Sequence, residues 1–273
     1  MIVVRSIDDL RLNPTAPIGL VPTMGAFHEG HLTLMRRAKE VCGTCVVSLF
    51  VNPTQFGPSE DFANYPRNEE RDFSMAESAG VDVIFAPTVE EMASGTATRV
   101  TVPGVSSRWE GEHRPGHFDG VATVVSKLFH IVRPSDAFFG LKDFQQCTVI
   151  RQMVHDLRFS LTLHFEETVR EPDGLAMSSR NAYLNPEERV VAPLLYRTIT
   201  EASRQIAGGR SVGESTNEAI GALAIGGFST QYLAMVDAET LEPMETLTGE
   251  ARIIVASKLG RTRLIDNVAV LPS

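Results

Sequence analysis

The sequence has little of what disulfide stapling, membrane insertion or nucleic-acid binding requires. Its three cysteines in 273 residues are an odd number, which suits a reducing compartment. No stretch approaches the ~18 uninterrupted apolar residues of a membrane span, and the N-terminal apolar run is too short for a signal peptide. The net charge of −9 disfavours binding to a phosphate backbone, which needs a basic face. We therefore expect a cytoplasmic protein without membrane or nucleic-acid partners.

The two cysteines of Cys42-Gly-Thr-Cys45 form a C-x-x-C pair, which in redox proteins follows a strand and begins a helix. Here the order is reversed, because a helical pattern ends near Gly43 and the apolar run Cys45–Val51 follows. A zinc site would need a second pair of soft ligands, and the sequence offers none. We interpret the pair as a helix C-cap followed by a strand.

Strand-like and helix-like segments alternate over the first two thirds of the chain. The predicted strands are Ile18–Pro22, Cys45–Val51, Val81–Ala86, Ala137–Gly140 and Leu161–Val169. The clearest predicted helices are Asp119–Val132 and Phe144–Leu157. This alternation predicts an α/β fold, in which a parallel sheet carries helices on both faces.

The pattern changes after about Val169. Asn185 and Pro186 are typical of the start of a helix, which we expect to run to Gly208-Gly209, and a shorter helix should extend from about Gly213 to Gly226-Gly227. The predicted strands that follow are Phe228–Asp237, Arg252–Ala256 and Arg263–Leu271. Helices followed by strands, without alternation, predict a smaller α+β second domain. We place the two domains at residues 1–169 and 170–273.

The most informative segment runs from Val21 through a glycine-containing turn to His28 and His31. It leads from a predicted strand into a helix, and a helix N-terminus attracts anions. Imidazoles three residues apart share one helix face, so both could donate to phosphate oxygens. Two alternatives remain, namely that the histidines only cap the helix, or that they bind zinc without a recognisable third ligand.

Three other polar segments carry candidate binding groups. Met177-Ser-Ser-Arg180 follows a predicted turn, and its hydroxyl and guanidinium groups could hold the phosphates of a leaving pyrophosphate. The segments Phe50–Phe56 and Phe139–Gln146 place side-chain amides at the ends of predicted strands. Neutral amides can bind a hydroxy acid while its carboxylate stays nucleophilic. Each of these segments alone could also be an ordinary polar loop.

Six motifs, in this order, resemble those of the pantothenate synthetase family. They are Pro22–His31, Phe50–Phe56, Tyr65–Arg67, Arg114–Val121, Phe139–Gln146 and Met177–Asn181. This family is similar to nucleotidyltransferases and class I aminoacyl-tRNA synthetases. The resemblance implies a Rossmann-like N-terminal domain that binds ATP and pantoate, a smaller C-terminal lid domain and a homodimer. It also implies that ATP, with Mg²⁺, activates pantoate as a pantoyl-adenylate, which β-alanine converts to pantothenate with release of AMP and pyrophosphate.

The resemblance also assigns roles to individual residues. Catalytic roles fall on His31, His28 and Lys142. ATP binding falls on Met24, Gly25, Ala26, Phe27, His28, Glu29, Gly30, His31, Gly140, Leu141, Lys142, Asp143, Val169, Met177, Ser178, Ser179 and Arg180. Binding of pantoate or β-alanine falls on Gln55, Gln146 and Asn52. Asp72 is a candidate metal ligand, although Mg²⁺ would be held mainly through the ATP phosphates.

The sequence departs from the family pattern in two places. Glu90–Thr96 stands where the family usually has Tyr-Pro, and Phe27 stands where leucine is common. A nucleotidyltransferase acting on another small substrate is the alternative function, but it does not account for the amides at 52–55 and 145–146. A nucleotide sensor without catalytic activity is disfavoured, because His31, Lys142 and Ser178 are all present.

Overall fold

The computed structural model describes residues 1–10, 12, 17–58, 60, 62–93 and 97–271, and these form two compact units. The first unit comprises Met1–Leu141 and Gln146–Glu167, and the second comprises Lys142–Gln145 and Thr168–Ser273. Of the segment that departs from the family pattern, Ser94–Thr96 lie outside the described residues.

The first unit is built on a six-stranded parallel sheet. Its strands are β1 (Ile2–Val4), β2 (Ile18–Thr23), β3 (Thr44–Leu49), β4 (Val83–Phe85), β5 (Asp136–Gly140) and β6 (Thr162–Glu166). The helices are α1 (Glu29–Cys42), α2 (Glu69–Ser78), α3 (Val89–Ala93), α4 (Glu110–His113), α5 (His117–Val132) and α6 (Phe144–Asp156), of which α6 has its first two residues in the second unit.

The strand order β1-β4-β3-β2-β5-β6 determines where a ligand can bind. The chain adds β3 and then β4 on one side of β2, and it later places β5 on the other side. The direction of winding therefore reverses between β2 and β5, and open α/β sheets bind ligands at the carboxyl ends of such strands. The segments that follow Thr23 and Gly140 lie at this switch point.

Both faces of the sheet are covered, which explains the continuous apolar runs in its strands. Successive residues point to opposite faces, so Leu20 and Val46 belong to one apolar cluster whereas Val21 and Val47 belong to the other. The helix α5, with Val121, packs in the first cluster. The predicted α/β class is confirmed.

The second unit contains three helices followed by a small antiparallel sheet within its described residues. The helices are α7 (Pro186–Val191), α8 (Leu194–Ala207) and α9 (Val212–Ile225), and the strands β7 (Phe228–Asp237), β8 (Ala251–Leu259) and β9 (Thr262–Val270) pair in that order. Ile199, Leu223, Met235 and Ile253 are buried in a core of their own. The described helices all lack the combination of length and apolar character that a membrane span requires.

Two details differ from the sequence prediction. The single helix expected from Asn185 to Gly208 is wrong, since α7 ends at Val191 and α8 begins at Leu194. Pro193 lies between them and has no N–H to continue the helical hydrogen bonds. Strand β1 was not predicted, because only three residues form it and its partner β4 is some eighty residues away.

Candidate active site

The start of α1 brings His28 and His31 together. His28 has extended backbone angles (φ −140°, ψ 175°), and its carbonyl accepts the N–H of His31 at 2.8 Å. The N–H of His28 donates to Nδ1 of His31 at 3.4 Å, so in neutral His31 the ring proton is assigned to Nε2. The two ring centroids are 4.1 Å apart. Both imidazoles therefore lie at the end of α1 that favours an anion.

A second group forms where β3 ends. The Asn52 side chain caps the short 3₁₀ turn Pro53–Gln55 and donates to Oε1 of Gln55 at 3.2 Å. Nε2 of Gln55 in turn approaches Sδ of Met24 at 2.8 Å. Asn52 and Gln55 are both buried. Met24, which follows β2, is thus in contact with Gln55, which follows β3 and in turn contacts Asn52. All three are predicted ligand-binding residues.

A charged network that the sequence analysis did not assign supports this turn. His117, at the start of α5, contacts the carbonyl of Gln55 through Nδ1 at 2.8 Å and Arg114 through Nε2 at 3.0 Å. Arg114 also donates to both carboxylate oxygens of Glu60, at 2.8 and 2.6 Å. Burial, and then the positive charge of Arg114, lower the pKa of His117 to about 4. The motif Arg114–Val121 contained the signal, but its contacts depend on the tertiary fold.

Residues predicted to bind ATP or substrate also lie at and after the end of β5 in the first unit. Gly140 ends the strand, and its carbonyl accepts from Sγ of Cys147 at 3.4 Å. Leu141 follows Gly140, and Gln146 lies in the first turn of α6. Gly140 and Leu141 therefore lie at the carboxyl end of β5, at the switch point.

The second unit holds the Val169–Arg180 segment as a hairpin. The N–H of Met177 donates to the carbonyl of Val169 at 3.0 Å, and Oγ of Ser178 accepts the N–H of Arg180 at 3.3 Å. Arg170 fixes the hairpin through two bonds to Asp266 of β9, at 2.7 and 2.9 Å. The guanidinium carbon of Arg170 also lies 3.6 Å from the centre of the Tyr196 ring.

Asn267, which follows Asp266 on β9, holds Lys142. Nδ2 of Asn267 donates to the carbonyl of Lys142 at 3.1 Å, and Nζ of Lys142 lies 3.7 Å from Asp143. Asp266 and Asn267 are both buried. Two adjacent residues of β9 therefore anchor both of the second unit's predicted ATP-binding segments.

Asp72, the candidate metal ligand, lies on α2 with its carboxylate against the backbone N–H groups of Ala26 and Phe27. In the described part of the chain, no three or more histidine, cysteine or acidic residues are grouped as a metal would require. A cavity of about 210 Å³ beside Met24, Gly25 and Asp72 is small compared with the ~300–1,000 Å³ of sites for drug-sized ligands.

The switch-point location and the polar groups at the strand ends are typical of α/β proteins that bind a ligand at the carboxyl edge of a parallel sheet. Residues 3–269 match the family model of pantoate-β-alanine ligases. The chain belongs to this family and is therefore a ligase, and the resemblance read from the six motifs is confirmed.

The relatives match over the full chain. The chain is 52% identical to the pantothenate synthetase of Rhizorhabdus wittichii over an alignment of 281 positions, which covers 100% of both sequences. A crystal structure of pantothenate synthetase from Thermus thermophilus matches with a TM-score of 0.96 and 49% identity over 100% of both chains. A pantoate-β-alanine ligase from Francisella tularensis, complexed with β-γ ATP and β-alanine, matches with a TM-score of 0.82 and 33% identity, again over 100% of both chains.

Proposed function

We propose that this chain uses ATP to join pantoate to β-alanine through a pantoyl-adenylate, and releases AMP and pyrophosphate. Besides family membership, one observation supports the proposal most. His28 and His31 meet at the start of α1, directly after the switch-point strand β2. A nucleotide that loses pyrophosphate needs donors of this kind where negative charge accumulates.

The reaction proceeds in two balanced steps. A carboxylate oxygen of pantoate forms a bond to the α-phosphorus of ATP, and the bond from that phosphorus to the bridging oxygen breaks, so pyrophosphate leaves. We assign stabilisation of the added charge to His28, His31 and Lys142, with Met177–Arg180 holding the phosphates. The neutral amine of β-alanine then attacks the acyl carbon and loses a proton as AMP departs.

We assign pantoate to Asn52, Gln55 and Gln146. Asn52 and Gln55 are buried, their amides are neutral, and each is held by a contact with a neighbouring side chain. Amides can bond a hydroxyl and a carboxylate without neutralising the carboxylate, which must remain the nucleophile. The assignment of ATP and pantoate to residues 1–169, and of a lid to residues 170–273, stays a prediction.

We further propose Mg²⁺ as the counter-ion of the ATP phosphates, a cytoplasmic location and a homodimer. Asp72 fits poorly as a magnesium ligand, because its side chain is almost completely buried and its carboxylate holds the backbone N–H groups of Ala26 and Phe27. We therefore derive no step through the ion. A dimer would show twice the chain mass of 29.8 kDa in light scattering, and a mass of one chain would contradict it.

Oxygen labelling tests the adenylate. With carboxyl-¹⁸O pantoate, one labelled oxygen should end in AMP, because the carboxylate attacks phosphorus. A mechanism through an acyl phosphate would release ADP and place the label in inorganic phosphate. The chain has no Walker-type phosphate loop of the kind used by many enzymes that transfer the γ-phosphoryl group. Unlabelled AMP, or ADP as the product, would contradict the proposal.

Pyrophosphate exchange separates the proposal from the alternative function. Labelled pyrophosphate should enter ATP when pantoate is present and should not do so without it. A nucleotidyltransferase acting on another small substrate would show no exchange that depends on pantoate.

A further inference from the structure

The turn between β2 and α1 has an unusual backbone. Gly25 and Ala26 both have positive φ, at 85° and 52°. Alanine rarely adopts this conformation, because its Cβ crowds the backbone, so the surrounding structure must hold it there. Successive residues in such conformations can direct their N–H groups towards one point and form a cradle for an anion.

An anion of the protein itself occupies this cradle. Oδ2 of Asp72 accepts the N–H of Ala26 at 2.7 Å, and Oδ1 accepts the N–H of Phe27 at 2.8 Å. Asp72 is only 1% exposed, and the guanidinium of Arg71 lies 3.9 Å away with 54% of its side chain exposed. Because a buried carboxylate needs strong partners, the two amides must provide most of its stabilisation.

We propose that Asp72 is a positioning residue, whose carboxylate holds the Gly25–Phe27 turn and so sets the approach of His28 into α1. It follows that the N–H groups of Ala26 and Phe27 are not phosphate donors. Under the proposed function, on which this last step rests, the ATP phosphates meet the imidazoles and the N–H groups of the first turn of α1 instead.

The competing role for Asp72 is that of a magnesium ligand. Magnesium requires near-octahedral coordination by oxygens and usually keeps several waters, so its carboxylate ligands face open, hydrated space. Asp72 is instead only 1% exposed although it borders a small cavity, and both of its oxygens lie within hydrogen-bond distance of backbone N–H groups. The two roles predict different results in a protein that contains neither ATP nor metal.

Amide hydrogen exchange in the protein without ligand, with a chelator present, is the first measurement. Asp72→Asn keeps the shape of the side chain but turns one acceptor into an N–H donor. We expect the amides of Ala26 and Phe27 to exchange about 10- to 100-fold faster, as for loss of a hydrogen bond to a charged group. The amide of Met35, in the middle of α1, should be unchanged.

Glu70→Gln is the matched control, because it removes the same charge from the same helix at an exposed position. It should leave the exchange at Ala26 and Phe27 as in the wild type. Equal acceleration in both variants would overturn the proposal, since the effect would then come from charge rather than contact. Unchanged exchange in Asp72→Asn would overturn it as well. Neither result depends on whether the chain makes pantothenate.

A magnesium titration of pantoate-dependent pyrophosphate exchange is the second measurement. Asp72→Asn should lower kcat/KM for ATP about 10- to 100-fold through the displaced turn, without changing the Mg²⁺ concentration for half-maximal activity. A metal ligand would show the opposite, namely a raised Mg²⁺ requirement with normal amide exchange, and that would overturn the proposal.

The contacts can also be tested without a variant. In the wild-type protein, scalar couplings across the hydrogen bonds should connect the amide nitrogens of Ala26 and Phe27 with Cγ of Asp72. This measurement applies even if Asp72→Asn does not fold. The absence of both couplings, under conditions where couplings within α1 are detected, would refute the proposal.

Discussion

His31 and His117 differ in which ring nitrogen carries the proton, because their contacts differ. His31 accepts a backbone N–H at Nδ1, so its proton is assigned to Nε2. His117 faces Arg114 at Nε2, and arginine can only donate, so its proton lies on Nδ1 and is donated to Gln55. His31 can therefore donate from Nε2, which suits a phosphate, whereas the proton of His117 holds a backbone carbonyl.

Comparing His31→Asn with His31→Ala should separate catalysis from support of the helix. An asparagine oxygen can replace Nδ1 as acceptor for the N–H of His28, but it lacks the Nε2 donor. We expect both variants to lose about 10²–10³-fold in pantoate-dependent pyrophosphate exchange. His31→Ala alone should also destabilise the start of α1, measured by chemical denaturation. Wild-type exchange rates in folded His31→Asn would remove Nε2 from the mechanism.

His117 should make stability depend on pH. Burial and the charge of Arg114 lower its pKa from 6.5 to about 4, so the folded state binds fewer protons than the unfolded state between these values. The contribution of His117 to the free energy of unfolding is therefore complete above about pH 6.5 and is lost as the pH drops towards 4. The expected loss between pH 7 and pH 5 is about 2 kcal/mol. Urea denaturation at both values measures it, and His117→Asn should reduce the difference, whereas an unchanged difference would assign it to other groups.

At the scale of elements, α5 approaches the Pro53–Gln55 turn so closely that only glycine fits at position 120. A Cβ at Gly120 would lie 2.5 Å from the carbonyl oxygen of Thr54. The Gly120 carbonyl also accepts from Asn52. The position of α5 therefore fixes the amides that we assign to pantoate.

Gly120→Ala should weaken pantoate binding more than ATP binding, because it displaces the turn that carries Gln55. Loss of one bond to a carboxylate would cost about 1.5–3 kcal/mol in calorimetry. Gly221→Ala on α9 is the control, because nothing lies within 4 Å of its added Cβ. That variant should be more stable by about 0.5–1 kcal/mol. Equal losses for both ligands in Gly120→Ala would mean that the turn supports the site in general.

Arg170 and Asp266 should act as one unit in binding ATP. Arg170→Lys removes the two-pronged contact with Asp266, so the Val169–Arg180 hairpin should lose its position and ATP should bind about tenfold more weakly. Asp266→Asn should have a similar effect, and the double variant should be no worse than either one. Arg204→Lys, at an exposed pair with Glu201 on α8, is the control. Additive losses would show that the two residues act independently.

At the scale of the whole molecule, the candidate ATP-binding residues are divided between the two units. Met24–His31, Gly140 and Leu141 belong to the first unit, whereas Lys142, Asp143, Val169 and Met177–Arg180 belong to the second. Each unit also has its own buried core. The division occurs between Leu141 and Lys142, within a single motif of the chain, and the sequence pattern contains no sign of it.

Local patterns predicted most of the fold, and contacts between distant residues account for what was missed. The apolar spacing of α5 and the strand-like composition of β7 depend on neighbours in the sequence, and both elements were predicted closely. The pairing of β1 with β4, and the contact of His117 with Gln55, depend on residues more than sixty positions apart. The candidate site residues were named from motifs, but the roles of Arg114, Asp266 and Asn267 required the structure.

The anchoring of Lys142 by β9 has a consequence for the order in which a ribosome completes this protein. The six strands of the first unit have all been synthesised by residue 166, but Asn267 lies 125 residues after Lys142. At about 5–20 residues per second, those residues take roughly 6–25 s to synthesise. During that interval a nascent chain can form its sheet and the Asn52–Gln55 turn while Lys142 still lacks its anchor. A product of interrupted translation that ends before Asn267 would then contain all six strands of the first unit and the Asn52–Gln55 turn, but no anchor for Lys142.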